Sequence, residues 1–292
     1  MPADLPPLLQ EWAGDLDSAN KSNRTVGEYL GDLRQFMEFL QKTDLAAVTA
    51  DVVRRYAHAM TRAGLAPRSR ARRIVAIRRF YAYLVETGRL DANPAQSIRP
   101  PRVPERTPNF LLPEEVGALR RAIPRHDRGL RDRAIIELGL QSLRISEILN
   151  LDLVDLLLDR RQLKITGKGG AEAIQPVSED AVQAVESWLA RRPVCASRAV
   201  FIPLPPRGAR RLHYTTVEKA LARYLKDAAI ERRLRFHDLR HTAGVTLADR
   251  GVPLQYIQDI LRHKDPKTTR VYTKVARERL SEVVERELKY PT

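Results

Sequence analysis

Between Arg99 and Asn109 the chain reads RPPRVPERTPN, four prolines in eleven residues. Each proline lacks an amide donor and pushes the residue before it out of the helical region, so neither a helix nor a sheet runs through this stretch. The chain therefore folds as two bodies joined by an extended linker. We expect a first domain over residues 1–98, a linker over 99–109 and a second domain over 110–292. A length of 292 residues is enough for two ordinary cores.

The first body reads as four helices. One covers about 5–16. A second opens with a capping-box pattern, Thr25-Val-Gly-Glu28, and carries Tyr29, Leu33, Phe36, Phe39 and Leu40 at helical spacing. A third covers about 50–62 and ends before Gly64. The fourth runs from Pro67 to about Thr87, where Gly88 stops it. Between Val52 and Val85 stand nine arginines and no acid. On the fourth helix Arg68, Arg72 and Arg79 share one face, and Ile77, Tyr81 and Leu84 share the opposite one. A basic face is ordinarily just solvated, but without nearby acids it repels itself unless a polyanion covers it. The formal charge of +15 and pI near 10.3 point the same way, to nucleic acid.

The second body opens with helical patterns over 113–123 and 127–140, followed by LQSLRISEILNLDLVDL. Arg144, flanked there by Leu143 and Ile145, is either buried in a structural pair with Glu147 or held by Glu147 as a phosphate ligand. Residues 155–177 alternate as strands do, with a Gly-Lys-Gly-Gly turn between the longer two: a hairpin or three-stranded antiparallel sheet. Lys168 at the tip is by itself only a polar turn residue, and Lys164 lies within a strand. Helical patterns follow at 179–192 and 215–229, separated by a proline-rich loop with Arg207, Arg210 and Arg211. The fold class is mainly α with a small antiparallel β-sheet.

Residues 233–274 concentrate the chemistry. His237 and Arg240, three apart near a helix start, project from one face that can hold an anion. His263 follows a second helical pattern, 253–261, and Tyr272 lies nine residues on, in a turn opened by Asp265-Pro266. A guanidinium binds two non-bridging phosphate oxygens and stabilises charge building on them. Tyr is a nucleophile able to form a covalent intermediate. With an ordinary pKa of about 10 it needs cationic neighbours or a base. Attack on a phosphodiester suits this set.

The motifs HDLRH at 237–241, LRH at 261–263 and TTRVYT at 268–273, with LRISE at 143–147, resemble those of the tyrosine recombinases, the phage integrase and Xer group. The resemblance implies a four-helix, SAM-like core-binding domain ahead of an α+β catalytic domain, the two closing on a duplex like a clamp. It implies that Arg144 and Arg240 grip the scissile phosphate, His237 accepts a proton or positions, and His263 donates a hydrogen bond. Tyr272 attacks to give a 3′-phosphotyrosyl enzyme and Lys168 protonates the leaving 5′ oxygen. Exchange then passes through a Holliday junction with no cofactor, metal or ATP. The implied partners are double-stranded DNA with inverted half-sites and further subunits, in a homo- or hetero-tetramer, with room for an accessory activating protein. The family's C-terminal segment docks on a neighbour, and here Leu280, Val283, Val284 and Leu288 form an apolar stripe that suits the part. The implied task is resolution of chromosome or plasmid dimers, or integration and excision of a mobile element. Ser142 and Arg262 stand where the family has Gly.

Other readings remain open on residues alone. His237 and His241 with an intervening acid are superficially similar to the His-Glu-x-x-His zinc motif, but Asp238 replaces the Glu and Arg240 would oppose a dication. A two-metal nuclease needs converging carboxylates, and no set of the acids suggests one. A type IB topoisomerase would use similar groups as a monomer, and a non-catalytic DNA-binding protein would use them as phosphate contacts. His58, His126 and His213 belong to no constellation. The lone Cys195 excludes an internal disulfide. The first residues, MPADLPPLLQEW, do not read as a signal peptide, and no run of eighteen apolar residues exists. We expect a cytoplasmic protein without a membrane span.

Overall fold

The computed structural model describes residues 7–19, 21, 23–41, 44–104, 108–167, 170–205, 210–262 and 272. The chain divides into two compact units, Met1–Arg106 and Thr107–Thr292.

In the first unit the described residues form α1 (Pro7–Ser18), α2 (Asn23–Leu40), α3 (Ala50–Arg62) and α4 (Pro67–Glu86). Helix α2 begins at Asn23, so the Thr25 to Glu28 pattern lies inside its first turns instead of opening it. Its core is aromatic, with Trp12 meeting Phe80 edge to face at 5.4 Å and Phe36 packing on Tyr56 at 5.0 Å. The expected uncompensated basic face is only partly so. Arg72 reaches across to α2, 3.1 Å from Asp32 and 3.2 Å from Glu28, and Arg73 lies 3.5 Å from the same Asp32. The acids missing from the 52–85 segment are supplied by another helix. Arg68 and Arg79 remain exposed, Arg79 over the ring of Tyr29.

The second unit is built around α6 (Asp127–Leu140), which is buried along most of its length. An interior helix of this kind must pair the polar groups that it buries. Arg131 donates to Asp132 and to the Ile202 carbonyl, and the Tyr224 hydroxyl donates to the other Asp132 oxygen at 2.9 Å. Fully buried Glu137 takes Arg120 and Arg133, each at 2.6 Å. Around α6 stand α5 (Pro113–Ala122), α7 (Ile145–Asn150), α8 (Glu179–Leu189), α9 (Tyr214–Asp227), α10 (Phe236–Asp249) and α11 (Leu254–Leu261). Gly139 fixes how closely α10 approaches: a Cβ there would stand 2.7 Å from the ring of Phe236. The sheet is three-stranded and antiparallel in the order β1 (Leu156–Leu157), β2 (Gln162–Thr166), β3 (Glu172–Pro176), with Leu163 facing Gln175 and Ile165 facing Ala173. Two of the unassigned histidines are helix caps: His126 Nδ1 accepts from the Gly129 amide and His213 Nδ1 from that of Thr215. No helix among the described residues is long and apolar enough to cross a membrane.

Candidate active site

Three segments far apart in sequence meet beside α10. The first is the turn between α6 and α7. Ser142 there adopts φ +73°, in the left-handed region, which ends α6 sharply and lets Arg144 sit at the N-cap of α7. Glu147, one turn on, accepts from the Arg144 amide at 2.8 Å and from Arg144 Nη1 at 2.8 Å. The Arg144 side chain is 41% exposed and that of Glu147 only 5%. Of the two readings of Arg144, this geometry favours a guanidinium presented outward by a buried carboxylate.

The second segment is the first turns of α10. The side chain of Arg240 is buried and donates through Nη1 to the Ser142 carbonyl. Its Nη2 has no hydrogen-bond partner among the described residues. Burial, then the nearby charge of Arg144, lowers its pKa to about 10, so it stays cationic at neutral pH. His237 is exposed, yet crowding on its inner side and the Arg240 charge hold it below the ordinary imidazole value.

Tyr272 is the third. Its side chain is fully buried, and its hydroxyl lies 2.9 Å from His241 Nδ1. The ring rests on Gly244, where a Cβ would stand 2.5 Å from the ring carbon bearing the hydroxyl. Burial pushes the phenol up to about 12 against the pull of Arg240. It also brings His241 down to about 4, helped by His237. Both are neutral at pH 7. Their bond is then phenol O–H donated to Nδ1, with the ring proton on Nε2.

His241 is the contact that sequence reasoning did not assign to the site. The signal was its place one helical turn beyond His237, with the rings 4.9 Å apart. Arg262 is a second such residue, donating to Glu147 at 2.7 Å. Lys168, His263, Arg207, the Asp265-Pro266 turn and the stripe from Leu280 to Leu288 lie outside the described residues. Lys164 pairs with Glu172 at 2.8 Å across the hairpin. Arg211 is bound to Asp152 at 2.6 Å and to the carbonyls of Leu149 and Leu151, which gives it a structural place. Arg210 borders a cavity that Arg128, Lys219 and Arg223 also line.

Residues 109–279 match the model of the phage integrase family, and residues 9–88 match that of the phage integrase N-terminal SAM-like domain. The chain belongs to the phage integrase family. It is a tyrosine-type site-specific recombinase of the Xer-like kind. This integrase-family chain is 36% identical to tyrosine recombinase XerC of Myxococcus xanthus, with 96% of each chain covered. It is 33% identical to tyrosine recombinase XerD of Shewanella oneidensis, with 95% of each covered. Among solved structures, the XerH recombinase bound to palindromic difH substrate aligns with a TM-score of 0.73 at 19% identity, over 90% of this chain and 80% of that one. A lambda integrase fragment in a dimer on a core site gives 0.70 at 16%, over 89% and 95%. The mainly α architecture with a SAM-like first domain and a second, catalytic domain is the integrase-family fold.

Proposed function

We propose that this recombinase cuts and rejoins double-stranded DNA through Tyr272, with Arg144 and Arg240 gripping the scissile phosphate. The observation that carries the reading is the convergence of both arginines, His237 and the Tyr272 hydroxyl at the start of α10 from three separate segments. Exposed Arg144 meets the phosphate from solvent. Arg240 keeps a buried donor that has found no acceptor among the described residues. Guanidinium donors fixed in place where charge develops are the largest contribution expected in such a step.

In the cleavage step the Tyr272 oxygen forms a bond to phosphorus and the bond from phosphorus to the 5′ oxygen breaks. The phenol proton passes to an acceptor, for which His237 is the family's candidate. The 5′ oxygen takes a proton from Lys168, and His263 donates to the phosphate in the same scheme. The covalent bond conserves the energy of the phosphodiester, so a 5′-hydroxyl from a partner strand reverses the step without ATP or metal. Repetition on the second strand pair resolves a Holliday junction.

The duplex is proposed to carry inverted half-sites, as the palindromic site of the XerH complex does, with four subunits, like or unlike, assembled on two duplexes. The first domain would bind DNA through Arg68 and Arg79. Arg72, held by Asp32 and Glu28, would serve mainly to support that face. The cavity bordered by Arg128, Arg210, Lys219 and Arg223 offers a further phosphate contact. The segment beyond Tyr272 would dock on a neighbouring subunit. The setting is the cytoplasm, and the task is dimer resolution or mobile-element exchange.

The test is incubation with nicked suicide DNA substrates in EDTA. A covalent adduct mapped to Tyr272, and absent from Tyr272→Phe, is expected. An adduct elsewhere, or cleavage by Tyr272→Phe, would sink the reading. Metal-dependent cleavage would point to a nuclease, and nicking and closing by a monomer to a topoisomerase.

A further inference from the structure

Glu147 serves two guanidiniums from opposite ends of the second unit's sequence. One of its oxygens takes Arg144 Nη1 at 2.8 Å, and the other takes the Arg144 amide at 2.8 Å and Arg262 Nη2 at 2.7 Å. Arg262 also meets Arg144 through its backbone, since Arg144 Nη2 points at the Arg262 carbonyl at 3.4 Å. The residue sits in the left-handed region at φ +49°, closing the C-terminus of α11. That conformation is costly for a residue with a Cβ and free for glycine. A costly backbone held in place to bring one side chain to a buried carboxylate asks for a reason.

We infer that Arg262 is a positioning residue for strand cleavage: by taking a share of Glu147, it keeps that carboxylate from neutralising Arg144, which stays oriented toward the phosphate, and adds positive charge behind it. The inference rests on the proposed function. A carboxylate buried with a single cationic partner would hold that partner in a close pair, because the surroundings are low in dielectric. Two partners divide the same negative charge. Arg144 is then oriented by Glu147 without being neutralised by it, in keeping with its outward exposure. Arg144, Arg240 and Arg262 set against Glu147 leave two positive charges. A phosphodiester arrives with one negative charge and gathers more on its non-bridging oxygens as the transition state forms, so the surplus matches where charge develops.

Arg262→Gly helps separate this role from a structural one, because glycine relieves the φ +49° backbone while the bond to Glu147 is lost, two opposed effects of similar size, so the melting temperature should stay near that of wild type. Wild type, Arg262→Gly and Arg262→Lys are compared at saturating DNA for the rate of Tyr272 adduct formation. One nicked substrate carries an ordinary phosphodiester at the scissile position, and another a methylphosphonate, which lacks the anionic oxygen. On the phosphodiester, Arg262→Gly is expected to slow adduct formation by about ten-fold with DNA affinity unchanged, and Arg262→Lys to recover part of the loss. On the methylphosphonate the difference from wild type should shrink to about two-fold or less. An Arg262→Gly rate within about two-fold of wild type on the phosphodiester would overturn the inference. So would an equal defect on both substrates, the mark of a structural role. Wild type forming no adduct at Tyr272 would sink the proposed function itself, and this inference with it.

Discussion

The hydroxyl of Tyr272 lies 2.9 Å from Nδ1 of His241, and both groups are neutral at pH 7. The pair joins the proposed nucleophile to the helix that carries Arg240. It also ties the stability of the unit to pH.

Burial lowers His241 to about 4, below the ordinary 6.5 that it has when unfolded. The unfolded chain therefore takes up this proton first on acidification. The stability held by neutral His241 is full above about pH 6.5 and is lost as pH falls toward about 4, on the order of 2 kcal/mol. His237, also shifted down, acts in the same direction. Urea midpoints measured between pH 7.5 and 4.5 should fall, and should fall less steeply in His241→Gln. Equal slopes for the two proteins would refute the assignment.

Gly244→Ala puts a methyl group 2.5 Å from the Tyr272 ring. Either the ring or the helix must move, and a displacement of about 1 Å at a reacting group costs roughly 100-fold in rate. Adduct formation on the suicide substrate should drop by that order while DNA affinity holds. Unimpaired cleavage would show that the ring leaves this seat before the strand is cut.

At Ser142 two effects nearly cancel. Glycine would relieve the left-handed backbone by about 1 kcal/mol. It would also lose the 2.9 Å bond from Ser142 Oγ to the Ile260 carbonyl, worth about 1 kcal/mol. Ser142→Gly should therefore unfold close to wild type, and Ser142→Ala, which keeps the strain and loses the bond, should be the less stable by about 1 kcal/mol. Chemical denaturation decides, and the reverse order would refute this account.

The arginines of α4 should divide by partner. Arg68→Ala and Arg79→Ala, both at exposed positions, should each reduce by about one the slope of log affinity against log salt. Arg72→Ala removes a cation from buried Asp32 and should instead destabilise the first unit by about 1 kcal/mol or more. A full unit of salt slope lost in Arg72→Ala, with unchanged stability, would reverse the assignment.

Periodicity and punctuation made the helices legible: Pro67 opens α4, and α3 and α6 span the residues that their patterns mark out. Motif spacing singled out Arg240 and Tyr272, and Arg144 stood out as a charge flanked by Leu143 and Ile145. What stayed hidden were partners across sequence. Asp32 is 40 positions from Arg72, and Glu147 is 115 from Arg262, so the composition of either segment alone misstates its electrostatics. Two positions departing from the family's glycine both proved left-handed, Ser142 and Arg262. At both, the backbone holds the left-handed shape that glycine adopts without cost, so the turn is strained, and the side chain gains a bond.

Those two turns are stitched together. Ser142 Oγ bonds the Ile260 carbonyl, Arg144 points at the Arg262 carbonyl, and Glu147 holds both arginines. The C-terminus of α11 is thus moored to the same block that presents Arg144, and an anion filling that cradle would stiffen the mooring of α11.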